Sequence, residues 1–293
     1  MAFQFTSRYI SGIRVLKKER DIKQNFIISL EKGIISPSFS QKNIQLREEL
    51  ERKLKSGLKK LGKDESRAGF LLPELSQKTF VFSFESLPSA LQEREQLFRF
   101  RVKKQMPMIP DDARIVSKPF YTGKEYRVLV TVARASIIKE YEDLFNQLGL
   151  KIRNVGIPSL VLTDLLDREK EKDIMVVNAE EGSLSLICVL DSNIALYRQK
   201  QILLESTNSR DSSSSIKNIV QEIEKTVQFV EDKEKRNIKN IWIRSADLDD
   251  SDKLLFELAG SLDFELKDIA SIIEFKLSSP EKKLLSPLIG QCF

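Results

Sequence analysis

The alternation of apolar and polar positions is most regular between residues 79 and 110. Phe80, Phe82 and Phe84 alternate with Val81 and Ser83, the period-two pattern of a half-buried strand. Ser86-Leu87-Pro88 stops that strand, and a charged helix is predicted from about Ser89 to Gln105. The run Met106-Pro107-Met108-Ile109-Pro110 ends the helix, because proline cannot continue one. Upstream, Phe3–Val15 and Asn25–Leu30 are predicted strands separated by the charged turn Lys17–Lys23, and Gly33–Ser40 is a Ser/Pro turn or short strand. Gln41–Leu61 is predicted as an amphipathic helix, with Leu46, Leu50, Leu54, Leu58 and Leu61 on one stripe and Gly62 as its cap. Arg67–Leu72 is a short apolar strand before Pro73.

Downstream, Ala113–Phe120 and Tyr126–Ala133 are predicted strands, Ser136–Gly149 a helix, Lys151–Val155 a strand and Pro158–Asp167 a helix with proline in its first turn. The second half opens as a meander of hairpins, Asp173–Asn178, Ser183–Leu190 and Ile194–Gln199. A polar segment, Glu205–Ser215, precedes a helix at Ser215–Asp232 with Ile216, Ile219, Val220, Ile223, Val227 and Val230 on one face. A strand at Asn240–Arg244, a helix at Lys253–Gly260, extended pieces at Phe264–Leu266 and Ile272–Phe275 and a short final helix from Leu284 complete the pattern.

Composition narrows the chemistry. With 41% hydrophobic and 31% charged residues, the chain is expected to be soluble and able to bury substantial cores, and 293 residues suit two lobes or several subdomains. No apolar run approaches the roughly 18 residues of a membrane span, and the N-terminal stretch has no export-signal pattern. Cys188 and Cys292 are the two cysteines, which suits a reducing compartment and excludes a disulfide framework. Histidine is absent, which removes Ser-His and Cys-His dyads, histidine bases and most zinc sites. Charge is uneven: residues 1–63 hold 15 Lys and Arg against 6 Asp and Glu, whereas residues 246–274 hold 2 against 9. A basic surface of this kind can meet an acidic partner or anionic lipid.

The order of these elements, and the wording of several segments, resembles the type IV pilus assembly protein PilM family, and more distantly the actin-like division protein FtsA and the cytoplasmic domain of GspL. The similarity is carried by FESLPSALQEREQLFRFRVKKQMPMIPDDARI, by YRVLVTVARASIIKEYEDLFNQLGLKIRNVGIPSLVLTDLL, by DIMVVNAEEGSLSLICVLDSNIALYRQK, and by SIKNIVQEIEKTVQFV with NIWIR, about residues 79–245 in all. It implies an α/β, actin-like (ribonuclease H-like) two-lobed fold with an inserted α+β subdomain in the first lobe. The expected division is 1–78 for the first lobe, 79–155 for the insertion, 156–171 for the return to the first lobe, and 172–293 for the second lobe and C-terminal segment.

The resemblance implies nucleotide-binding turns, and the residues depart from them. The first phosphate turn is expected within Thr6–Arg14, which has one glycine, Gly12, and no acid. The second is expected at Val177–Ser185, with Asn178 where an aspartate is usual and Glu180 and Glu181 in the turn, where they would repel phosphate. The adenosine turn reads Ser245-Ala246-Asp247 instead of a glycine pair. The expectation is therefore a pseudo-ATPase without catalytic, cofactor or metal residues. As the resemblance implies, it would be a cytoplasmic scaffold, peripheral to the inner membrane, docking the tail of a PilN-like single-pass protein in a groove between first lobe and insertion. A pilus motor ATPase or platform protein is a further expected partner. Phe98, Met106, Met108 and Ile109 are the candidate sockets, with Arg99 and Arg101 at the rim; for Phe98 and Met106 the alternative is module core.

The alternative is an ATP-binding ATPase of the same assembly with variant phosphate loops, in which Asn178, Ser183 and Ser185 hydrogen-bond a phosphate while magnesium lacks its usual carboxylate. Nucleic acid is not an expected partner, since Gln41–Leu61 mixes acids among its bases and lacks aromatics for stacking.

Overall fold

The computed structural model describes residues 1–16, 21–62, 66–166, 172–180, 182–202, 212–238, 240–246 and 264–292, with Phe256, Ala259 and Gly260. The predicted helix Lys253–Gly260 and the polar segment Glu205–Ser215 lie largely outside these residues. In chain order the first half holds β1 (Ala2–Phe5), β2 (Tyr9–Leu16), β3 (Asp21–Ser29), α1 (Arg47–Leu61), β4 (Arg67–Leu71), β5 (Gln77–Phe84), α2 (Leu91–Gln105), β6 (Ala113–Tyr121), β7 (Tyr126–Arg134), α3 (Ala135–Gln147), β8 (Lys151–Gly156) and α4 (Pro158–Leu162). The second half holds β9 (Ile174–Glu180), β10 (Ser183–Leu190), β11 (Asn193–Gln201), α5 (Ser212–Glu234), β12 (Asn240–Ser245), β13 (Glu265–Asp268) and α6 (Ser279–Cys292).

Two five-stranded sheets share one topology. The first runs β3-β2-β1-β4-β8 and the second β11-β10-β9-β12-β13, so each is a three-stranded meander extended by two crossover strands. The meander pairs are antiparallel, and β1–β4, β4–β8, β9–β12 and β12–β13 are parallel. Phe3 and Phe5 of β1 point to one face, where Leu50 and Leu54 of α1 and Tyr141, Leu144 and Phe145 of α3 cover them. Ala2, Ile13 and Leu71 serve the other face and meet Leu285, Leu288 and Ile289 of α6. In the second lobe α5 buries Ile219, Ile223, Val227 and Val230 against β9 and β10.

The inserted module is a three-stranded antiparallel sheet, β5-β7-β6. Phe82, Val128, Val130 and Val132 face α2 through Phe98 and Val102. By the period of two, Val81 and Leu129 take the opposite face, and they pack against apolar residues of the second lobe. Arg127 of β7 also pairs with Glu234 of α5 at 2.5 Å, so the module is tied to the second lobe by charge as well as by packing.

Several expectations need correction. Phe3–Val15 is a hairpin, because the Thr6 hydroxyl oxygen accepts the N–H groups of Arg8 and Tyr9 at 3.1 and 3.0 Å and turns the chain. The helix predicted from Gln41 starts at Arg47, since the Asn43 amide donates to the carbonyls of Ser38 and Gln41 and holds them in a loop. The insertion is shorter than 79–155: α3 packs in the first-lobe core and β8 pairs with β4, so both belong to that lobe. The C-terminal helix α6, assigned with the second lobe, completes the first. It begins at Ser279, before the predicted Leu284, and carries Pro287 within it. Among the described residues no helix is long and apolar enough to cross a membrane.

Candidate functional site

Two places merit attention: the cleft where the two meanders face each other, and a groove beside the module. In the cleft, the β1–β2 turn directs its N–H groups inward on itself. The amides of Arg8 and Tyr9 both end on Thr6 Oγ1, whose hydroxyl donates to the Tyr9 carbonyl at 3.1 Å. A phosphate cradle needs such N–H groups free and aimed outward; here they are occupied.

Opposite, the end of β12 delivers Arg244 into the space between the lobes, where its side chain is fully buried. Its guanidinium pairs with Glu180 of β9. It also donates to Asn178 Oδ1 at 2.7 Å, to the Tyr9 hydroxyl at 2.9 Å and to the Lys283 carbonyl at 2.6 Å. A longer bond of 3.4 Å reaches the Leu284 carbonyl. The Lys283 carbonyl is available for a physical reason: its helical partner would be the N–H of residue 287, and Pro287 has none. Burial opposes the arginine's charge, and the Tyr9 and Glu180 oxygens reverse that, holding its pKa above the ordinary value. Gln4 of β1 adds a second link across the lobes, its Nε2 donating to Glu180 at 3.3 Å.

The network continues through Asn178 to Glu74, which sits in the short helical turn Glu74–Ser76 after Pro73. Its buried carboxylate accepts from the Ser159 amide at 2.5 Å, Tyr197 Oη at 3.0 Å, Ser185 Oγ at 3.1 Å and Asn178 Nδ2 at 3.4 Å. Desolvation is the largest influence and raises the Glu74 pKa, with the Glu180 charge adding to it against the donated hydrogen bonds. Gln77 of β5 donates to the Tyr197 hydroxyl at 2.9 Å, which joins the module to the same network.

The alternative phosphate ligands are therefore already engaged. Asn178 is bound at both ends, by Arg244 and Glu74, and Ser185 donates to Glu74. Ser183 is buried. At the third turn, the Ala246 amide donates to the Ala179 carbonyl at 2.9 Å; Asp247 lies outside the described residues. Sequence reasoning missed Arg244, Glu74 and Tyr9 as partners. The available signals were an arginine ending an otherwise apolar strand, NIWIR, and a proline inside the C-terminal helix.

The second place is a groove of about 520 Å³ between the module and the first lobe. Leu129, Ile138, Ile152, Ile157 and Leu160 make its apolar lining, and Arg114, Lys118, Arg153 and Glu142 supply charge. Val116 and Val155 also line it, and Val116 is 70% exposed. None of the six residues expected to bind a partner is here. Phe98 is module core, and Met106 and Ile109 pack against that core. Arg101 lies over the rings of Phe82 and Phe84 at 5.5 and 5.4 Å. Arg99 is exposed, and Met108 protrudes with 90% exposure. All six belong to α2 and the loop after it, on the face of the module sheet that Phe82 and Val130 occupy. The groove uses the other face, that of Leu129 and Thr131.

No family model matches the chain, and no curated protein matches it either. Solved structures do. A PilM–PilN type IV pilus biogenesis complex is similar over 99% of this chain and 95% of that one, with a TM-score of 0.77 at 12% identity. A Bacteroides thetaiotaomicron protein with an actin-like ATPase fold and unknown function is similar over 90% and 88%, with a TM-score of 0.56 at 10% identity. The cytoplasmic domain of EpsL, an inner-membrane component of the Vibrio cholerae type II secretion system, is similar over 98% and 93%, with a TM-score of 0.55 at 9% identity. The chain has the actin-like two-lobed fold.

Proposed function

We propose that this chain is a non-catalytic, actin-like scaffold of a type IV pilus or type II secretion-like assembly. In this role it docks the tail of a PilN-like single-pass membrane protein and sits at the cytoplasmic face of the inner membrane. The observation that carries the non-catalytic part is Arg244. Its guanidinium pairs with Glu180 between the expected phosphate turns and donates to four further protein acceptors. ATP and magnesium do not fit there. The amides of Arg8, Tyr9 and Ala246 are already bonded within the chain, and Glu180, the acid at the end of β9, is bound by an arginine.

The similarity to a PilM–PilN complex supports the assembly context, and the apolar groove beside the module offers a place for an extended tail. Two measurements test this reading. Calorimetry with ATP and magnesium should give no binding; micromolar affinity with magnesium-dependent turnover would instead make the chain an ATPase of the same assembly. A labelled peptide from the cytoplasmic tail of the single-pass protein encoded beside this chain should bind, and Val116→Glu should weaken it while Met108→Glu does not. The reverse pattern moves the docking site to α2 and its loop, and equal binding by all three removes the groove assignment.

A further inference from the structure

The outer face of α2 and the loop after it take no part in the groove or the cleft. From Gln96 to Pro110 the chain carries four cations, Arg99, Arg101, Lys103 and Lys104, and no acid. Glu93 and Glu95 lie at the other end of the helix, and Asp111 follows the loop. Among the described residues neither Arg99, Lys103 nor Lys104 makes an ion pair, and all three are exposed. Helical spacing places Phe100 nearly opposite the buried Phe98, among Gln96, Arg99, Lys103 and Lys104. Its ring is 55% exposed, and Lys104 Nζ stands 4.7 Å from the ring centre. Beyond the helix end, Met108 protrudes between two prolines with 90% exposure.

Two exposed large apolar groups in a segment of four cations and no acid suit one kind of occupant. A peptide is gripped in a concavity, and neither Phe100 nor Met108 lines the groove beside the module. A lipid interface accepts protruding aromatic and thioether side chains at the acyl boundary while its anionic headgroups meet lysine and arginine. We infer that the α2 tip, Arg99 to Met108, is a direct contact site for an anionic lipid bilayer, with Phe100 and Met108 inserting and Arg99, Lys103 and Lys104 binding headgroups. The module would then face the membrane with α2 outermost and leave its groove open at the other face. This contact does not depend on the docked tail, because the two use opposite faces of the module sheet.

Sedimentation of the full chain with phosphatidylcholine vesicles, with and without phosphatidylglycerol, at low and high salt tests it. The wild type should partition onto phosphatidylglycerol vesicles at low salt and leave them at high salt. Lys103→Gln with Lys104→Gln, and separately Phe100→Ser with Met108→Ser, should each lower partitioning about tenfold. Lys55→Gln with Lys59→Gln on α1 is the charge-matched control and should retain it. All these positions are exposed, so a melting curve checks that the fold is kept. The inference fails if the wild type ignores anionic vesicles, or if both tip variants bind as well as the wild type. It fails equally if the control loses as much as the tip variants, or if the tip captures soluble polyglutamate and no vesicle. Tail-peptide binding should be unchanged in every tip variant, which separates this contact from the groove.

Discussion

The guanidinium of Arg244 donates to the hydroxyl of Tyr9 across 2.9 Å, joining residues 235 positions apart and from different lobes. Around that bond every element of the cleft contributes: Asn178 and Glu180 from β9, Gln4 from β1, and the carbonyls of Lys283 and Leu284 from α6. An arginine and a glutamate of the chain thus form a buried ion pair between the two lobes.

Arg244→Met should cost about 3–5 kcal/mol, because Glu180 is left buried without its counter-charge. Arg244→Met combined with Glu180→Met should recover much of that loss, since no charge is then stranded. Urea unfolding of the two single variants and the double variant measures the coupling; simple additivity would mean that the pair does not act as a unit.

Two acids should shape the pH dependence of stability in opposite ways. The folded pKa of Glu74 is raised above its ordinary 4.5, mainly by burial. The folded state therefore holds its proton longer than the unfolded state, and stability falls as pH rises from about 4.5 through the folded pKa. Glu74→Gln should remove that decline. Asp112, bonded to the Ser136 side chain and amide and to Arg134, is lowered from 3.8 to about 2. Its contribution is present above 3.8 and is lost as pH falls towards 2. Asp112→Asn should flatten that acid limb alone, and chemical denaturation across pH reads both.

The two thiols should differ in reactivity. Burial pushes the Cys188 thiol up to about 12, whereas Cys292 is partly exposed. At mildly alkaline pH a thiol reagent should label Cys292 in the native chain and reach Cys188 on unfolding. Rapid native labelling of Cys188 in a Cys292→Ser variant would contradict the packing of β10.

Gly290→Ala should destabilise the junction of α6 with α4. A methyl group there would run into the Val161 carbonyl oxygen, a backbone atom that cannot rotate away. A loss of about 1–3 kcal/mol is expected, read as a lower melting temperature. A change near zero would show that α6 can lift off the first lobe freely.

Much of this architecture was legible in local pattern. The alternation in Phe80–Phe84 and Tyr126–Ala133 became β5 and β7, Leu50, Leu54 and Leu61 of the leucine stripe became the buried face of α1 while Leu46 stayed exposed before it, and the Ile/Val stripe after Lys217 became the buried face of α5. Gly149, at φ 77°, ends α3 as expected, with the Leu150 amide reaching back to the Phe145 carbonyl at 2.9 Å.

What stayed hidden depends on distant partners. The apolar residues of α2 and its loop marked a buried surface, but periodicity does not say which element covers it. Phe98, left open between socket and module core, is core, while the groove formed on the other face of the sheet. The hairpin at Thr6 and the start of α1 were set by single side chains, Thr6 and Asn43, competing for backbone groups. The separation of α3 and β8 from the module followed from β8 finding β4. Periodicity along the chain is enough to decide which positions avoid water, because that choice is local. Tyr9, Asn178, Glu180, Arg244 and the carbonyl released by Pro287 converge only once both lobes have formed, because each satisfies a buried polar group of another.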